Sequence, residues 1–351
     1  MRAPLLTLAL LFAFPIPQTP QNPNSLTLTS GIDTSLRGLS ASSDRKNLYA
    51  AGSNGVILRS PDAGKTWTRL HIDNADTADF RGVQSFGPDI AYVFSVGNDN
   101  KSHIYKTSDA GKTWNTQYSD PRPAFFLDGL VCRSEKVCFA ISDPIDGKFP
   151  ILHTEDGEHW VELSKSFEPS ALPTEGIFAA SNTSLILCGP DRNDILFATG
   201  GPAARVFHSA DNGHSWTVVA TPILSGNPSA GIFSVACNDR SVVAAGGDYR
   251  NPTATKSVAA YSNDLGATWH LADQSPAGYR SSAALAAGTA HQTWVAVGTT
   301  GADISTDNGV HWTPLNQENA NAAIANSSDL VLTAGPKGTI TLTAIRKKGL
   351  M

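Results

Sequence analysis

An all-β propeller of seven blades is the fold this chain predicts, and three observations predict it. The pattern Ser/Thr-x-Asp-x-Gly-x-x-Trp occurs six times, once in shortened form, and its tryptophans lie 43 to 56 residues apart. Self-similarity at that period is the mark of propeller blades or solenoid units, each too small to bury its own core. No stretch carries a sustained apolar period of 3.6 residues, whereas short β-rich runs of alternating or apolar residues recur between turn residues.

Composition narrows the function before any motif is weighed. The 351 residues carry 26 Lys plus Arg against 31 Asp plus Glu, a formal charge of −5 with only 16% charged residues. A nucleic-acid groove would show as a basic excess, so a nucleic-acid partner is excluded. At 41% hydrophobic, the chain has enough apolar surface for a core, which excludes wholesale disorder.

At the amino terminus, Arg2 precedes the apolar run Leu5–Phe14 and then the Pro-rich stretch PIPQTPQNP. That run is too short to cross a bilayer and reads as a secretory signal. Residues 1–24 are therefore set apart, with cleavage between about Phe14 and Ser25. The expectation is an exported protein, periplasmic or secreted, with no membrane span in the mature chain and a single monomeric domain over residues 25–348.

The boxes come next: SPDAGKTW ending at Trp67, TSDAGKTW at Trp114, TEDGEHW at Trp160, SADNGHSW at Trp216, SNDLGATW at Trp269 and STDNGVHW at Trp312. Asp62, Asp109, Asp156, Asp211, Asp264 and Asp307 each sit in a tight turn. There the Gly supplies φ > 0 and the Asp side chain bonds nearby N–H groups. A strand such as VILRS or HIYKT enters each turn, and the Trp anchors the strand that leaves it. Two further β-rich runs precede each box, giving four strands per unit. Units begin near Leu36, Phe80, Leu127, Glu175, Ala230, Tyr279 and Asn321. The seventh, DLVLTAG then GTITLTAI, ends before a fourth strand, and the isolated alternating segment SLTLTS at 25–30 can supply it. Closing the ring with both termini leaves no open edge.

These boxes resemble the Asp-box, or bacterial neuraminidase repeat, of sialidases, other glycoside hydrolases, sortilin-type receptors and secreted bacterial propellers. The fuller unit SLRGLSASSDRKNLYAAGSNGVILRSPDAGKTW is more narrowly similar to the photosystem II stability and assembly factor propellers and their non-photosynthetic bacterial relatives. The resemblance implies a non-catalytic propeller that holds a protein or peptide during maturation of a membrane or envelope complex. Its motifs specify fold far better than function.

In a four-stranded blade the box turns share one face with the first-to-second turns, so the box aspartates are expected to be structural. The opposite face carries long second-to-third loops, read as SDPIDGKFP, PDRNDILFATGGPAAR and GGDYRNPTATK in blades 3, 4 and 5. Such loops on a rigid scaffold are where binding usually resides. Aligning the starts of the innermost strands places Arg37, Arg81, Asp128, Glu175, Ala230, Arg280 and Asn321 in one ring at the channel mouth. Guanidinium groups there could fork onto a carboxylate or phosphate of an anionic peptide, protein or small molecule. Tyr279, Asp191, Arg192, Arg205, Asp248 and Tyr249 extend the polar surface. The bland reading is that channel mouths are commonly wet and that these charges neutralise one another.

A glycoside hydrolase is the alternative. Sialidases use three Arg on a carboxylate, a Tyr–Glu nucleophile and an Asp acid, and Arg37, Arg81, Arg280, Tyr279, Glu175 and Asp128 supply the types. Against it, Arg37 and Arg81 are followed by Gly instead of the sialidase Arg-Ile-Pro start, and seven blades differ from six. No dinucleotide, P-loop or Gly-x-Ser-x-Gly signature occurs, so no cofactor is expected. His153 with His159 and His208 with His214 straddle box turns without a metal-ligand spacing. Cys132 and Cys138 flank a short hairpin connection and are expected to pair in an exported protein. Cys188 and Cys237 fall in neighbouring blades, and their pairing is left open.

Overall fold

A computed structural model describes residues 25–163, 168–286, 292–327 and 329–345. The proposed signal lies outside these residues. Seven antiparallel sheets follow one another along the chain. Blade 1 runs inside to outside as Leu36–Ala41, Leu48–Gly52, Val56–Ser60 and Thr68–Leu70. Blades 2, 3 and 6 repeat the order from Asp79–Phe86, Leu127–Cys132 and Ser282–Ala286. In blade 7, Ala322–Ala325, Leu330–Ala334 and Ile340–Ala344 are joined by Ser25–Leu28, with Ser25 opposite Thr343 and Leu28 opposite Ile340. No helix among the described residues is long and apolar enough to cross a membrane.

The core lies between blades, because each sheet has two faces and each face needs a neighbour. Tyr49, Ile57, Phe80 and Val93 close the seam between blades 1 and 2. Phe139, Leu185, Phe197 and Trp216 close that between blades 3 and 4. Trp294 and Trp312, both 0% exposed, do the same between blades 5 and 6.

The box turn is a closed polar unit. In blade 1 the Gly64 N–H donates to Ser60 Oγ (2.8 Å), while Thr66 donates through N–H (2.8 Å) and hydroxyl (2.7 Å) to the Asp62 carboxylate. Trp67 Nε1 donates to Gly64 O at 3.1 Å, fixing the ring over the turn. The residue between Asp and Gly is left-handed as well, at φ 61° in Ala63 and 58° in Asn212. With its hydrogen bonds satisfied by the turn itself, each aspartate is held below the usual carboxylate range, Asp62, Asp109 and Asp211 at about 2.

Blade 4 departs from the sequence reading. Its innermost strand is Leu185–Cys188, its second Asp194–Ala198, its third Arg205–Ser209 and its fourth Thr217–Ala220. The segment 189–193 is therefore a first-to-second turn on the box face, not part of a long second-to-third loop. Gly200–Gly201 leaves the blade to pair with Asn227–Asn238 of blade 5. A Cβ at Gly200 would lie 2.7 Å from Ala230 O, so the two strands meet only because this residue has none.

The displaced stretch 177–183 occupies the axis. Arg81 Nη1 of blade 2 donates to Ala179 O (2.8 Å), Ser181 Oγ donates to Ser281 O of blade 6 (2.8 Å), and Asn182 exchanges bonds with the Leu130 backbone of blade 3. A Cβ at Gly82 would sit 2.6 Å from Asn182 Cγ, so that glycine makes room for the plug. Phe178, Ala179 and Ala180 line a cavity at one end of the channel, and Asn182 lines another at the opposite end.

Candidate functional site

Four of the seven inner strands, those of blades 1, 2, 3 and 5, extrude one residue from their ladder. Pairing skips from Leu36–Gly52 to Gly38–Ala51, from Phe80–Ser95 to Gly82–Phe94, from Leu127–Ser142 to Gly129–Ile141 and from Ile232–Gly246 to Ser234–Ala245. Such a bulge re-aims the unpaired side chain. The residues so placed are Arg37, Arg81, Asp128 and Phe233, and with Phe178, Tyr249, Tyr279 and Asn321 they line a cavity of about 530 Å³ at the channel mouth. That volume is within the range of small-ligand and side-chain pockets.

Several residues placed on this surface by the sequence lie elsewhere. In blade 5 the extruded residue is Phe233, three beyond Ala230. Arg280 is one residue short of the channel: its side chain is 1% exposed and folded back into blade 6. There it donates from Nε to Asp303 (2.6 Å) and from Nη1 to Thr300 Oγ1 and Tyr279 O, both 2.8 Å. Glu175 is not on an inner strand. Its fully enclosed carboxylate accepts from Arg205 Nε (2.8 Å), Thr199 Oγ1 (2.6 Å) and the Leu172 N–H (2.8 Å), which also commits Arg205. Asp191 and Arg192 fall on the box face, where Arg133 of blade 3 donates to Arg192 O (3.1 Å) and to Asn212 in the blade 4 box. Asp248 accepts from the Arg250 N–H (2.9 Å) in a turn beside the cavity. The causes are the blade 4 insertion, a three-residue offset of the blade 5 bulge and a one-residue offset in blade 6. The sialidase-like set of three Arg with a Tyr–Glu pair is consequently not assembled.

The cavity's cations differ in how they are held. Arg81 donates from Nε (2.8 Å) and Nη2 (2.6 Å) to Asp79 and from Nη1 to the plug. Arg37 makes no hydrogen bond or ion pair with any described residue, and its Nε is buried without a partner. Burial first, and then the Arg81 charge, pull its pKa below the ordinary arginine value.

On the blade 3 side stand two acids. Asp128 is 0% exposed and neither oxygen has a partner at hydrogen-bonding geometry. Burial pushes its pKa far up and the neighbouring Asp143 adds to this, while the nearby N–H groups of Asp143 and Ala179 and the Arg81 charge offset it only in part. Asp143 accepts from the Ile177 N–H (2.8 Å) and is raised by burial to about 6. The remaining wall is aromatic. Phe178 and Phe233 are stacked with centroids 3.8 Å apart, and Tyr279 meets Phe233 edge-on at 4.7 Å. Tyr279 is 5% exposed, and burial raises its phenol above the ordinary value.

Asp143, Phe178 and Phe233 were not singled out in the sequence. The available signal was length: blade 4 spends 56 residues between Trp160 and Trp216 and carries two inner-strand-like runs, IFAAS and LILC, before its box.

Cys132 and Cys138 face each other across the inner hairpin of blade 3 and are bonded. Cys188 and Cys237 are bonded as well, tying the inner strands of blades 4 and 5. No group of three metal-ligating side chains occurs among the described residues.

Comparison with known proteins agrees with this architecture. The family model of the photosystem II assembly factor YCF48 matches residues 20–136, one third of the chain. No curated protein matches. Among solved structures, YCF48 bound to D1 peptide is similar at a TM-score of 0.62 and 15% identity, covering 94% of this chain and 100% of that one. YCF48 from Cyanidioschyzon merolae is similar at 0.63 and 15% identity, covering 92% and 99%. At that identity the likeness is one of fold.

Proposed function

We propose that this Asp-box propeller, which resembles the photosystem II stability and assembly factors, is an exported, monomeric binding protein without chemistry of its own. It captures an acidic peptide segment of a protein partner at the channel mouth and holds that partner during assembly of an envelope or membrane complex. The observation that carries the reading is Arg37, a guanidinium left unpaired inside a preformed cavity beside Arg81. Asp79, already bonded to Arg81, offsets the Arg37 charge only from a distance, and an incoming carboxylate would pair with it directly. That a similar fold is known with a peptide bound supports the peptide class. Photosystem II itself is no part of the proposal.

The test is affinity capture from envelope extract by the wild type and by Arg37→Ala plus Arg81→Ala, with thermal melting of both. Loss of a captured partner at unchanged melting temperature supports the site, and unchanged capture refutes it.

A further inference from the structure

We infer that the blade 3 side of this cavity is a second subsite, for an ammonium or guanidinium group. The ligand is then dipolar, with a carboxylate toward Arg37 and a cation toward Asp143. The inference rests on the carboxylate-binding reading above and adds the other half of the ligand.

Three observations carry it. Asp128 lines the cavity fully buried, with both oxygens unpartnered, which is costly unless a donor completes it. Asp143 is shared with a neighbouring cavity of about 490 Å³ between the blade 3 and blade 4 loops, so it is reached from both spaces. Arg81, the cation that acts on Asp128, is already spent on Asp79 and on Ala179 O. The acids of this wall therefore have no direct ion-pair partner, and neither does Arg37 in the same cavity. A purely anionic ligand meets the acids, and a purely cationic one meets Arg37. A ligand carrying both charges satisfies each end, and its alkyl stem can lie along Phe178, Phe233 and Tyr279. Burial raises both acids, Asp143 to about 6, and a cation seated between them would favour their charged forms.

The same chemistry is offered by a peptide with a lysine near its free carboxyl end and by a free amino acid, and the experiment separates them. Fluorescent tetrapeptides with a free C-terminal carboxylate and a lysine one, two or three residues before it are titrated into the full chain by anisotropy. Their amidated and acetyl-lysine forms are run beside them, with 6-aminohexanoate as an unlabelled competitor. At the best spacing, amidation and lysine acetylation are each expected to weaken binding at least tenfold. Arg37→Ala should abolish the sensitivity to amidation, and Asp143→Asn the sensitivity to acetylation. Competition by 6-aminohexanoate assigns the site to small molecules as well; its failure restricts the site to peptides. If the acetyl-lysine peptide binds as tightly as its parent while amidation still matters, the second subsite is refuted and the carboxylate reading stands. If no peptide binds at millimolar concentration, both fall.

Discussion

Asp62 and Asp128 are the same residue type at opposite faces of the propeller, and their surroundings could hardly differ more. Asp62 is partly exposed yet accepts from a backbone N–H and two hydroxyls, so its charge is secure. Asp128 is fully buried at the cavity wall, and neither oxygen has a partner at hydrogen-bonding geometry. On the box face each box aspartate is satisfied within its own turn. The channel mouth leaves polar groups waiting on residues from other blades, or on a ligand. Arg280, though an arginine of the same rim, resembles the box aspartates in being complete: Asp303 satisfies it.

The contrast is broken most severely by cutting into the scaffold. Trp312→Ala, which empties a fully buried position between blades 5 and 6, is expected to cost about 3–5 kcal/mol in chemical denaturation. Asp303→Ala strands the buried Arg280 charge and is expected to cost a similar ~3–5 kcal/mol. Arg37→Met, by contrast, should leave stability within about 0.5 kcal/mol, since no partner is lost. A large loss there would mean that Arg37 is scaffold.

The pH dependence sharpens the comparison, because the two faces have opposite signs. Box aspartates are depressed in the folded state, so their stabilisation is complete above their unfolded pKa of about 4 and is lost as pH falls toward 2. Asp128 and Asp143 are raised, so the folded state favours their protons and stability falls as pH climbs from about 4 through 6 and beyond. Asp128→Asn should therefore raise the melting temperature at pH 8 and leave it nearly unchanged at pH 4. Equal shifts at both pH values would show that the carboxyl does not titrate as described.

The smallest effect lies inside the boxes. Ala63 and Ala110 sit at φ 61° and 66°, a region costly for alanine. Ala110→Gly is expected to stabilise by about 0.5 kcal/mol, the strain relieved exceeding the added backbone entropy. A destabilised variant would mean that the neighbouring hydrogen bonds already absorb that strain.

How far the sequence carried can be read from particular residues. Arg37, Arg81 and Asp128 are placed around one cavity by alignment alone, since equivalent strand positions in a closed ring must face one axis. Asn321 follows for the same reason. Alignment failed at Glu175, where blade 4 inserts a plug and resets its strands, at Ala230, where the blade 5 strand bulges three residues later, and at Arg280, one residue out of frame. Phe178, Phe233 and Asp143 had no local signature, because what brings them together is a segment crossing the channel between blades.

Local chemistry was enough to determine the boxes, the four-stranded unit and the number of blades, because each depends on hydrogen bonds and apolar patterning within some fifty residues of chain. Which charges end paired and which stay open was decided only by the tertiary structure. A guanidinium finds or misses its carboxylate through contacts between strands, and an offset of one residue along the chain is enough to turn it from the channel into the core.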